Sequence, residues 1–284
     1  MLWLFIVLAL AVLAIGSYTD IKTKEVPDWV NYGLIFAGLG VHAILSATSK
    51  IWTPLVSSLL GLGIGAGIAF AMYYLGQWGG GDAKMLMGLG AVIGFDLKEM
   101  FFLSFLVNAF IIGAVYGLCY GVFLAVKNRK AFGKTFRFLL SKINPVVKKG
   151  IIFLEMLAVL FFILFLFFKN TYFIFGISVI VIFIAFYYLF LYAKTIEKCC
   201  MLRYVSPDKL TEGDWIAKEI RNKGKYIAGP KDLGISKKQI RMLKKLKIEK
   251  VLMKEGIPFV PSFLMAFVFT YFYGNIFLLF FSIL

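Results

Sequence analysis

The stretch "TPLVSSLLGLGIGAGIAFAMYYLGQWGGGDAKMLMGLGAVIGF", Thr53 to Phe95, decides how this chain divides. Two apolar runs are parted by three glycines and an acid, Gly79 to Asp82, which are poor materials for a helix in lipid. The first run reaches the ~20 residues a helix needs to cross a bilayer; the second is short. Counted separately, they are the third and fourth of eight apolar runs, at 2–19, 29–48, 54–76, 83–95, 100–126, 150–168, 171–193 and 258–282. The basic residues test that division. The chain holds 31 Lys and Arg. Of these, 28 fall after runs 1, 3, 5 and 7, and three (Lys50, Lys98, Lys169) fall after runs 2, 4 and 6. Such a split is what the positive-inside rule gives for eight spans with both termini outside and the basic connections in the cytosol. Merging the two runs would scramble it.

Composition agrees. The chain has 284 residues, of which 61% are hydrophobic and 16% charged, too few charges for a soluble protein of this length. The expected fold class is an all-α polytopic membrane protein of about eight transmembrane helices with a small basic cytosolic domain. Its expected parts are a membrane core of spans 1–5 at 1–126, a basic interfacial connection at 127–149, two further transmembrane helices at 150–193, the basic cytosolic domain at 194–256 and a last transmembrane helix at 257–284. The first run ends in small residues, as a cleaved signal peptide does. No Lys or Arg precedes it, so it is expected to stay as a span.

The net charge of +16 sits in those connections. "SKKQIRMLKKLKI" opens with a capping box, Ser236 to Gln239, and places Ile240, Leu243 and Leu246 on one helical face with lysines on the other. "TEGD", Thr211 to Asp214, has the same capping spacing. A small helical unit is therefore expected at 194–256, its basic side resting on anionic lipid headgroups in preference to docking an acidic partner segment, and an interfacial amphipathic segment at 127–149. No nucleic-acid reading motif accompanies the charge, so no nucleic acid is expected. In run 3 the glycine pairs 61/65 and 63/67 have the spacing of close helix packing.

Few side chains remain for chemistry. His42 is the one histidine; without a partner at ligand spacing it predicts a packed polar residue, and no metal or cofactor is expected. Cys119, Cys199 and Cys200 form no CxxC. The acids are more telling. Asp20 closes run 1 and Asp82 opens run 4, at the same membrane edge, with one out-and-back hairpin between them. Folded aside, that hairpin lets the carboxyls meet. Two carboxyls in a dry pocket share a proton, and such a dyad hydrolyses a peptide bond without metal, one partner taking a proton from water and the other donating to the carbonyl oxygen. Glycines beside Asp82 let an extended substrate approach the backbone or let the acids close on each other. The competing reading is a proton- or ion-coupled transporter using Asp20 and Asp82, with the glycines as a broken helix. Transporter sites favour the bilayer midplane, whereas both acids here lie at one edge.

"GGGDAKML" is similar to the GxGDxKL signature of the type IV prepilin peptidases, membrane aspartyl proteases that include the archaeal preflagellin peptidases. "DIKTKEVPDW" resembles the segment holding that family's first catalytic aspartate, and "KEGIPFVPSFLMAF" resembles the opening of its last helix. The three elements stand in the family's order over roughly 35 residues, counted from those quoted motifs. The resemblance implies that Asp20 and Asp82 are the catalytic pair. It also implies that Gly79, Gly80 and Gly81 form the supporting loop with Lys84, and that Pro258 and Pro261 shape the last helix. The implied substrate is a type IV pilin-like or archaellin-like precursor, whose short basic leader (a class III signal peptide) is removed at the cytosolic face of the cell membrane. Glu25 and Asp28 are candidate leader-side acids, although Asp28 stands where the family frequently has Asn. Bacterial members often carry paired CxxC motifs and also N-methylate the product. This chain lacks those cysteines, so proteolysis without methylation is expected.

Overall fold

A computed structural model of the chain describes residues 3–283 except 223. All eight apolar runs become helices. Six are long and apolar enough to cross a membrane unaided: α1 (Trp3–Thr23), α2 (Asp28–Ser49), α3 (Thr53–Tyr74), α5 (Phe101–Lys127), α7 (Pro145–Phe168) and α8 (Thr171–Ile196). The last run is a pair, α10 (Val260–Tyr273) and α11 (Ile276–Ile283), bent by 43°. The fourth run, α4 (Gly80–Ile93), has only 14 residues. At 1.5 Å per residue it is about 21 Å long, short of the ~30 Å hydrocarbon core.

A helix that stops in an apolar setting must find partners for its last carbonyls. Ser58 Oγ donates to Ala91 O at 2.6 Å, and His42 Nε2 donates to Val92 O at 3.1 Å. Beyond the end, Phe95 N donates to Ser57 O at 2.8 Å and Ser57 Oγ donates to Phe95 O at 3.0 Å. His42 is thus the packed polar residue its isolation predicted, stacked on Phe5 at 4.3 Å. Gly94, at φ +72°, turns the chain there.

The glycines set how close α3 comes to α4. A Cβ at Gly61 would lie 2.2 Å from Gly90 O, and one at Gly65 would lie 3.0 Å from Leu86 O. Gly63 and Gly67 meet nothing within 4 Å, so only the 61/65 pair makes the approach that both spacings predicted. Gly38 of α2 passes as close, its Cβ position 2.8 Å from Ala91 C. Side chains on every side of α4 are buried, Met85, Leu86, Leu89 and Val92 completely, in one core with α1, α2, α3, α5 and α10.

Asn108 of α5 secures the α10–α11 bend. Its Nδ2 donates to Thr270 Oγ1 at 2.8 Å and to Gly274 O at 2.7 Å, and its Oδ1 accepts from Ile276 N at 3.0 Å. Asn108→Leu strands the Gly274 carbonyl and the Ile276 amide in an apolar setting. A loss of about 1–3 kcal/mol is expected, read as a lower melting temperature of the detergent-solubilised protein; an unchanged value would show that the bend holds without the amide.

Residues 202–254 correct the expectation of a helical unit. Among their described residues are β1 (Leu202–Val205), β2 (Trp215–Ile216), β3 (Ile220–Asn222), β4 (Lys225–Ala228) and β5 (Val251–Lys254), with one α-helix, α9 (Lys237–Lys245), and a 3-10 turn at Pro207–Lys209. The sheets are β1-β5-β2, with β2 antiparallel to β5, and an antiparallel β3-β4 pair. "TEGD" closes a turn instead of opening a helix: Thr211 N donates to Asp214 Oδ2 at 2.8 Å, but Gly213 sits at φ +99°, outside helical backbone. The Ser236–Gln239 box does cap α9, with Gln239 N donating to Ser236 Oγ at 3.3 Å and Ser236 N to Gln239 Oε1 at 2.7 Å. Ile240 and Leu243 enter a small core with Ile216, Ile227, Ile235 and Val251, while Leu246, just past the helix end, stays 39% exposed.

Two compact units result, 1–120 with 203–284, and 121–202. The second holds the end of α5, the basic helix α6 (Arg129–Ser141), and α7 with α8. α7 has no buried residue and is apolar along most of its length, as a lipid-facing helix is. Gly176 of α8 receives the Phe161 ring, 2.5 Å from where its Cβ would stand.

Candidate active site

The site is built where three helix ends come together. Asp20 lies in the last turn of α1, 5% exposed. Its Oδ2 accepts a 3.0 Å hydrogen bond from Val260 N, the first residue of α10. A carboxylate at a helix N-terminus meets unpaired N–H groups and the positive end of the helix dipole. Pro258 and Pro261 lie on either side of this donor. Neither has an N–H, so Val260 and Phe259 are the backbone donors left beside Asp20.

Asp82 lies in the first turn of α4, half-buried. Its Oδ2 accepts from Gly79 N at 3.0 Å, so it caps its own helix. Asp20 acts electrostatically on Asp82, which brings together the two acids the sequence singled out. The α2–α3 hairpin that separates them in sequence folds beside them, α3 and α2 both packing on α4.

The glycines serve more narrowly than a flexible loop would. None of Gly79, Gly80 and Gly81 has positive φ, and Gly80 and Gly81 are already helical. Gly76, at φ +66°, makes the turn out of α3. Gly80 faces open space, and a Cβ on Gly81 would only touch Val26 at 3.4 Å. Trp78, which the sequence did not single out, anchors the segment. It is 3% exposed and packs on Phe110, Phe259 and Phe263 at ring distances of 5.3–5.9 Å, tying the approach to Asp82 to α5 and α10.

Lys84 points away from Asp82. Its Nζ donates to Asp28 Oδ1 at 2.5 Å and lies 5.0 Å from the centre of the Tyr32 ring, linking α4 to the start of α2. Asp28 is therefore already paired. Glu25 is engaged as well, by the Thr211 hydroxyl from the sheet-bearing segment. Asp214 lies near Glu25 and Glu255. Burial first, and then those two charges, hold its carboxyl above the ordinary carboxylate range, against hydrogen bonds from Thr211 that favour its ionised form. Lys24 was also missed by sequence reasoning: its ammonium lies near Asp20 and donates to Tyr120 Oη at 2.9 Å.

This geometry defines a class of its own accord, a polytopic helical membrane protein with two carboxyls meeting at helix termini. Residues 6–118, which contain both acids, match the type IV leader peptidase family. The chain is similar to the preflagellin peptidase of Methanococcus voltae, 40% identical over 81 residues, which is 28% of this chain and 34% of the relative. It is likewise similar to the preflagellin peptidase of Methanocaldococcus jannaschii, 38% identical over 89 residues, 31% of this chain and 37% of the relative. The matches thus span about a third of the length of those curated relatives. No solved structure matches the chain.

Proposed function

We propose that the protein is an aspartic endopeptidase of the cell membrane. In this reading it removes the short basic leader from type IV pilin-like or archaellin-like precursors, with Asp20 and Asp82 as the catalytic pair. One observation carries the reading: two acids from helices separated by a hairpin stand at neighbouring helix termini, Asp82 within the field of Asp20, inside the segment that matches the leader peptidases. The names of the relatives favour an archaellin-like substrate.

The chemistry balances with this chain's residues and water alone. One carboxylate takes a proton from water as the water oxygen bonds to the scissile carbonyl carbon, and the protonated partner gives its proton to the carbonyl oxygen. When the C–N bond breaks, the first carboxyl protonates the leaving nitrogen and the second recovers a proton from the collapsing diol. No methyl transfer is assigned, since no paired cysteines of the bacterial type are present. The distribution of basic residues supports a site at the cytosolic face with both termini outside, and in this reading the lysines of α6 and α9 would rest on anionic headgroups.

The test uses membranes containing the full chain, incubated with a tagged precursor bearing a basic leader. A single cut at the leader junction is expected. No cut, together with acid- or ion-driven uptake into sealed vesicles, would install the transporter reading instead. In the same membranes, cysteines placed in 127–149 should react with an impermeant reagent from the cytosolic side, and one replacing Lys98 from the other; the reverse would overturn the orientation.

A further inference from the structure

We propose that Lys24 is a positioning residue that holds Asp20 as the anionic member of the pair, so that Asp20 takes the proton from water and Asp82 gives its own to the carbonyl oxygen. The inference rests on the reading of these acids as a proteolytic pair and assigns their separate roles.

The two carboxyls sit in unequal surroundings. Lys24 ends α1 with φ +61°, a backbone shape uncommon for a residue with a side chain, and its N–H closes on Asp20 O at 2.9 Å. That reversal takes Lys24 off the line of α1, and its ammonium stays near enough to Asp20 to act on that carboxyl. Tyr120 of α5 keeps it there. Lys24 Nζ donates to Tyr120 Oη at 2.9 Å and lies 5.1 Å from the ring centre, a hydrogen bond reinforced by a cation–π contact. Across the same carboxyl, α10 presents its N-terminus through Val260 N. Asp20 therefore has a cation in its neighbourhood and a helix N-terminus bonded to it, both favouring its charged form.

Among the described residues Asp82 accepts a hydrogen bond from the Gly79 amide of its own cap alone. The lysine two residues on, Lys84, is spent on Asp28. Among the described residues, the titratable groups facing Asp20 are then Lys24 from the end of its own helix, Asp82 from α4, and Tyr116 from α5, with Tyr120 6.1 Å from Tyr116. α10 contributes backbone N–H groups alone. Among these, Lys24 is the one cation, and a shared proton goes to the acid that lacks it.

The test compares Lys24→Met, Lys24→Arg and Tyr120→Phe in the full-length protein in lipid. It reads the pH profile of precursor cleavage and, separately, an infrared titration of the carboxyls, with the Asp20 band assigned by its absence in Asp20→Asn. In Lys24→Met, loss of the cation should raise the Asp20 midpoint and move the acid limb of kcat/KM upward, each by about one pH unit, a tenfold change in proton affinity. KM should hardly move. Lys24→Arg should keep the wild-type profile, and Tyr120→Phe should give a smaller shift of the same sign. An unmoved Asp20 midpoint in Lys24→Met, or a shift confined to the Asp82 band, overturns the assignment. If the wild type cuts nothing, the protease reading fails by itself, while the infrared titration still decides what Lys24 does to Asp20.

Discussion

Membranes carrying Asp20→Asn or Asp82→Asn are expected to leave a tagged archaellin-like precursor uncut. General acid–base help from a positioned side chain contributes about 10²–10⁴-fold, so each single change should lower the rate at least ~10²-fold. Asn keeps the shape and the structural hydrogen bond. At position 20 its Oδ1 can still accept from Val260 N, and at position 82 from Gly79 N, so folding and insertion should survive. What Asn cannot do is carry a proton to and from water. The double variant should be no slower than either single one, because groups that act as a unit do not add. Substantial cleavage by either single variant removes that acid from the mechanism. A tenfold loss in one and total loss in the other would indicate one catalytic acid with a structural neighbour.

The acids were legible because a carboxylate inside apolar sequence is costly and so conspicuous, and because Asp20 and Asp82 each abut a membrane run. Their immediate partners were not legible. The donor on Asp20 is a backbone N–H, Val260, selected by two prolines that the sequence shows but by a helix start it does not. The part of Lys24 depends on a left-handed turn at one residue, which no periodicity encodes. Lys84 shows the same limit from the other direction. It is near Asp82 in sequence, yet its place in α4 aims it at Asp28 on α2.

The same contrast runs through the fold. Apolar runs of membrane length announce helices because lipid admits little else, and even the short α4 was visible as a run of its own. Residues 202–254 obey no such restriction. Their strands are two to four residues long, too short for alternation to stand out, and their pairing joins β1 to β5 across some fifty positions. The capping spacing at Thr211 and at Ser236 was identical. What told them apart was Gly213, which bends the first into a turn, and the apolar face of Ile240 and Leu243, which carries the second into a core.

Gly61→Ala is expected to be among the most damaging single methyls in the membrane core, and Gly63→Ala, two residues away, to be harmless. At Gly61 the added carbon would stand 2.2 Å from Gly90 O and 2.9 Å from the Gly94 backbone. These are backbone atoms, so no rotamer change relieves the clash; α3 and α4 must separate. Overpacking of this kind costs typically 1–3 kcal/mol. Separation would also stretch the 2.6 Å bond from Ser58 to Ala91 O, which caps the buried end of α4. Thermal melts in detergent should show a fall of several degrees, since about 1 kcal/mol moves the midpoint of a large domain by ~2–4 °C. At Gly63 a methyl enters open space, and replacing glycine in a helix with alanine gains up to ~1 kcal/mol, so stability should hold or rise. The two variants separate packing from propensity. They also reach the site, because α4 carries Asp82 on its first turn: an outward shift at Gly90 moves that carboxyl relative to Asp20, and cleavage should fall in Gly61→Ala even below its melting temperature. Equal behaviour of the two variants would mean that α3 and α4 do not meet through Gly61, and the seating of Asp82 would need another explanation.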